Sequence, residues 1–167
     1  MTTVPTINTC WLRQSHIAWI KAESSHFFPY ETGGVLIGYV NDDVAVVTEI
    51  VGPGPCAIHR PARFLPDHSY QNREIARIFT DSGGVHTYLG DWHSHPNGVA
   101  QLSATDRKTL RRIAHSPEAF CSRPLMLLCA GGDSGWIIGA FTLIRKRLRG
   151  IAPIDVHTYH DNLKLGS

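Results

Sequence analysis

The sequence predicts an α/β or α+β sandwich, with helices packed on a mixed β-sheet. Three observations carry this. Stretches with the 3.6-residue apolar period of helices interleave along the chain with short apolar runs of strand length. Clusters of Gly, Pro, Asn and Asp punctuate the boundaries between them. The 167 residues, 43% apolar and 18% charged, suit one domain with a hydrophobic core of its own.

Taken in order, Ser15 to Phe27 carries Ile17, Trp19, Ile20 and Ala22 and reads as a first helix, ended near Pro29. Thr32 to Val40 is a short apolar run that fits a buried strand. Asn41, Asp42 and Asp43 signal a turn, and Val44 to Val51 is a second strand, so the two form a hairpin. Gly52 to Pro55 is loop, and the loop is expected to extend through His59 to Arg63. Ser69 to Phe79 puts Ile75, Ile78 and Phe79 on one helical face, and Asp81 to Gly84 stops that helix. Val85 to His93 reads as a strand, followed by a loop from Pro96 to Leu102. A third helix runs from Ser103 to about Ala114, with Leu110, Ile113 and Ala114 inward. Leu125 to Cys129 and Trp136 to Ile144 read as two further strands joined at Gly131 to Gly135. From Arg145 the chain is first basic (Arg145, Lys146, Arg147, Arg149) and then loses periodicity. The expected organisation is one domain over residues 1–145 and a basic tail, frayed or dependent on a partner, over 146–167.

Composition narrows the function. A net charge of +2 is too small to argue for nucleic acid or a membrane surface, and the Arg145–Arg149 cluster reads as a solvated tail. No apolar run approaches the ~18 residues of a membrane span, and no basic segment followed by an apolar one marks a signal peptide. The four cysteines form no C-x-x-C pair, so reduced and mostly buried thiols in a cytoplasmic protein are expected.

The chemistry is concentrated between Asp91 and Asp106. On a strand, His93 and His95 point to one face, because the side-chain period is two. Two neutral imidazoles side by side can hold one zinc ion, and Asp106 can supply a third ligand if the intervening loop turns the chain back. Ser103 and Asp106 also match an S-x-x-D capping box at the start of the third helix. A helix N-terminus favours the ionised carboxylate, which suits a metal ligand. Two histidines and one carboxylate leave a fourth position for water, the pattern of a catalytic rather than a structural site. Each half taken alone has an ordinary explanation, as polar strand surface or as a simple cap. Asp91 shares the ligand face and can orient a ligand. Trp92 and Ser94 face the other way and read as core or as hydrogen-bonding support. Gly33 and Gly34 permit close approach of a substrate strand or mark a bulge, the bulge being favoured. His59, Arg60, Arg63 and His68 sit in or after a Pro-rich loop, which can contact substrate or simply be solvated.

The composite of His93, Ser94, His95 and Pro96 with Ser103 and Asp106 downstream, and Glu31 before Thr32 to Gly38 upstream, resembles the signature of the JAMM metalloproteases. The resemblance covers roughly residues 10 to 145 and implies the JAB/MPN fold, a cytidine-deaminase-like mixed sheet flanked by helices. It implies one zinc ion per chain held by His93, His95 and Asp106. It further implies Glu31 as general acid and base, and Ser103 as hydrogen-bond donor to the oxyanion. All five positions are intact. The substrate it implies is an isopeptide or peptide bond at the C-terminus of a ubiquitin-like protein. Overall similarity to the small bacterial JAB proteins of integrative elements and anti-phage operons points to a conjugated nucleotidyltransferase of the CD-NTase class. Processing of a sulfur-carrier protein and a non-catalytic MPN-type scaffold remain the alternatives.

Overall fold

The computed structural model describes residues 6–144 and 150–160. The elements run β1 (Thr9–Arg13), α1 (Gln14–Phe27), β2 (Gly33–Asn41), β3 (Val44–Val51), β4 (Ile58–Arg60), β5 (Arg63–Leu65), α2 (His68–Asp81), β6 (Thr87–Pro96), α3 (Ala104–His115), β7 (Leu125–Gly132), β8 (Gly135–Ile144) and β9 (Gly150–Tyr159). Seven strands form one mixed sheet in the order β1-β3-β2-β6-β7-β8-β9. It closes on itself where β1 and β9 pair in parallel, from Thr9 opposite Asp155 to Arg13 opposite Tyr159.

Strand alternation sorts the core. Leu36 on β2, Trp92 on β6 and Leu125, Leu127 and Cys129 on β7 join Cys10, Leu12, Ala45 and Val47 in the largest buried cluster, to which α1 adds Ile20. Their neighbours point the opposite way. Val35, Ile37 and Val51 meet Ile75 and Ile78 of α2, and Met126 and Leu128 meet Leu110 of α3. The two helices thus cover the outer face of the sheet. β7 is buried at six consecutive residues, Leu125 to Ala130, as expected of a strand covered on both sides.

The sequence expectations need four corrections. A strand, β1, precedes the first helix. Its five residues alternate properly, with Cys10 and Leu12 buried, but the run is short and abuts a helix without a turn. The expected loop at 58–65 folds into the small β4–β5 hairpin, two strands of three residues each. The expected tail contributes β9, so the folded unit runs through Tyr159. Pro153 obscures that strand in the sequence. It is tolerated because β1 pairs only from Asp155 onward, which leaves the earlier part of β9 with one neighbour. The basic residues Arg145, Lys146, Arg147 and Arg149 lie outside the described residues. Finally, Phe79 is 46% exposed rather than inward, lying against Gly84.

All four cysteines are free. Cys10 and Cys129 are buried, and burial pushes the Cys10 thiol up to about 12. No helix among the described residues is long and apolar enough to cross a membrane.

Candidate metal centre

β6 carries His93 and His95 on the outer face of the sheet, while Trp92 and Ser94 point into it, both buried. Pro96 ends the strand. The following loop returns the chain so that α3 starts beside the two imidazoles. Ser103 is the N-cap of α3: its Oγ accepts from the Asp106 N–H at 3.1 Å, and its own N–H donates to Asp106 Oδ2 at 2.7 Å. The capping box read from the sequence is therefore complete, and it fixes the Asp106 carboxylate. That carboxylate lies 3.1 Å from His93 Nε2 and 3.3 Å from His95 Nε2, while the two Nε2 atoms are 3.0 Å apart.

Three donor atoms at these separations fit a metal ion. Tetrahedral zinc with ligands at ~2.0–2.1 Å would set them roughly 3.3 Å apart. The proton inventory agrees. His95 Nδ1 lies 3.2 Å from the Val99 carbonyl oxygen and must carry the proton it donates there. The Nε2 of the neutral ring then offers a lone pair, turned toward a second imidazole nitrogen and a carboxylate. Converging lone pairs of this kind are stabilised by a cation. The electrostatics already favour the ligand form of the acid. Burial opposes the Asp106 charge, but the neighbouring His93 and His95 rings and the Ser103 cap outweigh it and hold the carboxyl far below the usual range.

Glu31 approaches from a different part of the chain. β2 and β6 are antiparallel with Gly33 opposite His93, so continuing the register by two residues brings Glu31 level with His95. Ser94 locks this junction. Its N–H donates to the Thr32 carbonyl at 2.8 Å, and its Oγ accepts from the Thr32 N–H at 2.9 Å. Partial burial raises the Glu31 carboxyl above its ordinary value, against the opposing influence of His93 and His95. All five residues singled out from the sequence therefore meet at one end of β6.

Gly33 and Gly34 mark no bulge; the irregularities of β2 fall at Leu36, Ile37 and Gly38. They serve close packing within the chain instead. A Cβ on Gly34 would overlap the Val51 carbonyl oxygen and lie 2.6 Å from Trp92 Nε1. Asp91 accepts a hydrogen bond from the Tyr88 hydroxyl at 2.7 Å, and burial raises its carboxyl.

The segment around His59 and Arg60, read from the sequence as a substrate-contacting or solvated loop, instead packs on the chain itself. The β4–β5 hairpin folds over the Glu31 segment: the Glu31 N–H donates to the Arg60 carbonyl at 2.9 Å, and His59 Nδ1 lies 2.9 Å from the Glu31 carbonyl oxygen.

Known proteins resemble this chain. Residues 13–158 match the model of the prokaryotic homologs of the JAB domain. A probable metalloprotease from Sinorhizobium fredii is 41% identical over 76% of this chain and 79% of its own length. A CD-NTase/cGAS isopeptidase from Vibrio cholerae is 34% identical over 67% of this chain and 69% of its own. A protein from Desulfitobacterium hafniense solved in solution superposes with a TM-score of 0.67 at 18% identity, covering 92% of this chain and 94% of that one, a likeness of fold alone. With a family match running from the start of α1 into β9, the chain belongs to the prokaryotic JAB-domain family, a peptidase-type family.

Proposed function

We propose that this protein is a zinc-dependent isopeptidase that releases a CD-NTase from the target to which its C-terminus is conjugated. The observation that carries the reading is the convergence of the His93, His95 and Asp106 donor atoms within 4.8 Å of one another, beside Glu31 and Ser103. Relatives named metalloprotease and CD-NTase/cGAS isopeptidase support the class of bond and of substrate.

His93, His95 and Asp106 would hold the ion. Bound there, zinc supplies Lewis acidity and lowers the pKa of a water ligand to roughly 7. The remaining work belongs to the chain. Glu31 accepts a proton from the attacking water and later passes it to the leaving amine, which makes the amine a better leaving group. Burial, which raises the Glu31 carboxyl in the metal-free site, favours its taking up a proton. Ser103 uses an oxygen lone pair for its cap, so its O–H remains available to the substrate oxygen that gains charge. The cap thereby fixes the hydroxyl near the place where that charge develops.

The test uses a CD-NTase fused through its C-terminus to a reporter protein. The wild type is expected to cleave at the junction, to lose activity on chelation and to recover it with zinc. Glu31→Gln should keep stoichiometric zinc and cleave nothing. Cleavage persisting in Glu31→Gln would refute the assignment of the base. Failure of the wild type to cut this fusion while cutting a sulfur-carrier fusion would overturn the substrate.

A further inference from the structure

Glu31 lies outside the regular strands, two residues before β2. No hydrogen bond to its carboxylate is found among the described residues, so what holds the residue in place is its backbone. Both backbone polar groups of Glu31 are bound by consecutive residues of the hairpin: the N–H by the Arg60 carbonyl, the carbonyl oxygen by His59. The second contact is 2.9 Å long, and because a carbonyl can only accept, His59 Nδ1 must carry the proton. The imidazole is itself held. Its ring stacks on Phe27 at 3.7 Å between centroids and 13° between planes, and Phe64 covers it at 5.5 Å. Phe27 is the last residue of α1 and Phe64 the middle residue of β5. His59 therefore ties a helix end and the hairpin to one carbonyl of the segment that presents the base.

We propose that His59 is a positioning residue for Glu31, holding the backbone of the base so that its carboxylate faces the His93, His95 and Asp106 donors. This rests on the reading of Glu31 as the base. The competing role is plain packing, in which the ring matters and the Nδ1 proton does not. Two substitutions separate them. His59→Phe keeps an aromatic ring between Phe27 and Phe64 and removes the donor. His59→Asn removes the ring and keeps a donor, since the Asn Nδ2 is attached to Cγ, as Nδ1 is in histidine.

For His59→Phe the expected result on the CD-NTase–reporter fusion is unchanged KM, unchanged zinc content and a fall in kcat of about tenfold to a hundredfold, the scale of an ångström-level misplacement. His59→Asn should recover most of kcat even where its Tm is lower, an order that packing alone would reverse. Exchange of the Glu31 amide hydrogen, followed by NMR without substrate, supplies the second readout. It should quicken in His59→Phe and return toward wild type in His59→Asn. Wild-type kcat in His59→Phe, or His59→Asn as slow as His59→Phe, would overturn the proposal. Should the wild type cleave no fusion, the substrate reading fails on its own. The exchange measurement then decides: loss of protection in Phe with recovery in Asn supports the clamp, and equal exchange in all three proteins refutes it.

Discussion

Replacing Ser103 separates two jobs that one hydroxyl performs. As N-cap, its Oγ accepts from the Asp106 N–H at 3.1 Å, and alanine leaves that N–H without its partner. Loss of a serine cap to alanine costs about 1 kcal/mol, whereas glycine at the same place costs only a few tenths, because water reaches the exposed N–H. In a chain of this size about 1 kcal/mol lowers Tm by roughly 2–4 °C. The proposed catalytic job is a donation from the same hydroxyl to the developing oxyanion, worth ~10²–10³ in kcat. Neither substitution touches the other half of the capping box, since the bond from the residue 103 N–H to Asp106 Oδ2 at 2.7 Å belongs to the backbone. Zinc content should therefore stay unchanged in both. The expected pattern is a stability loss in Ser103→Ala that Ser103→Gly largely avoids, with the same ~10²–10³ loss of kcat in both. Thermal melts, metal analysis and steady-state cleavage of the fusion measure the three quantities. Glycine with wild-type kcat would reduce Ser103 to a cap, and an activity loss that tracks lost zinc would mean that the ligand, not the hydroxyl, had been disturbed.

Three further outcomes follow from the same geometry. Burial lifts the Glu31 carboxyl in the fold above its unfolded value, so the protonated form is favoured there and the associated stability is lost as pH rises through the folded value; metal-free Glu31→Gln should melt above wild type at neutral pH, the gap closing as pH falls from the raised folded value to the unfolded glutamate value, in scanning calorimetry. Binding of zinc at a hundred times its Kd adds about 2.7 kcal/mol, so chelation should lower Tm by roughly 5–10 °C in the wild type and leave Asp106→Ala nearly unmoved in a fluorescence melt. Gly34→Ala forces a Cβ against the Val51 carbonyl oxygen, a backbone atom that cannot swing aside; the denaturant midpoint should fall by the equivalent of about 3 kcal/mol, the upper end for overpacking.

What the sequence reveals about this site depends on how far apart the cooperating residues are. His93 with His95, and Ser103 with Asp106, are legible because each pair sits within one element whose period or cap rule relates its members. Joining the pairs requires only that a short loop turn back. Glu31 is a different case. Nothing local distinguishes it from a solvated glutamate, and its approach to the metal ligands is made by the β2–β6 pairing, a contact across some sixty residues that becomes visible in one sequence only through resemblance to a family. The same holds for the sheet. β2, β3 and the residues around His93 declare themselves by apolar runs and turn residues, whereas β1 and β9 carry no such signal, and their parallel pairing joins opposite ends of the chain.

His59 marks the far end of this scale. Its partner is a carbonyl oxygen, a group every residue possesses, so no residue type at position 31 could have announced the contact. Its neighbours Pro61 and Arg63 describe a loop, and the three-residue strands on either side are too short for alternation to register. Yet these short strands set the Glu31 backbone. The proposed metal ligands are held by a ten-residue strand and a capped helix, elements that persist through many small contacts. The proposed base is held by two hydrogen bonds from a hairpin of six strand residues. On the proposed mechanism Glu31 has to face the attacking water first and the leaving amine afterwards. A segment anchored through its backbone, with no hydrogen bond to its carboxylate among the described residues, can make that shift by side-chain rotation while the His93, His95 and Asp106 donors stay in place.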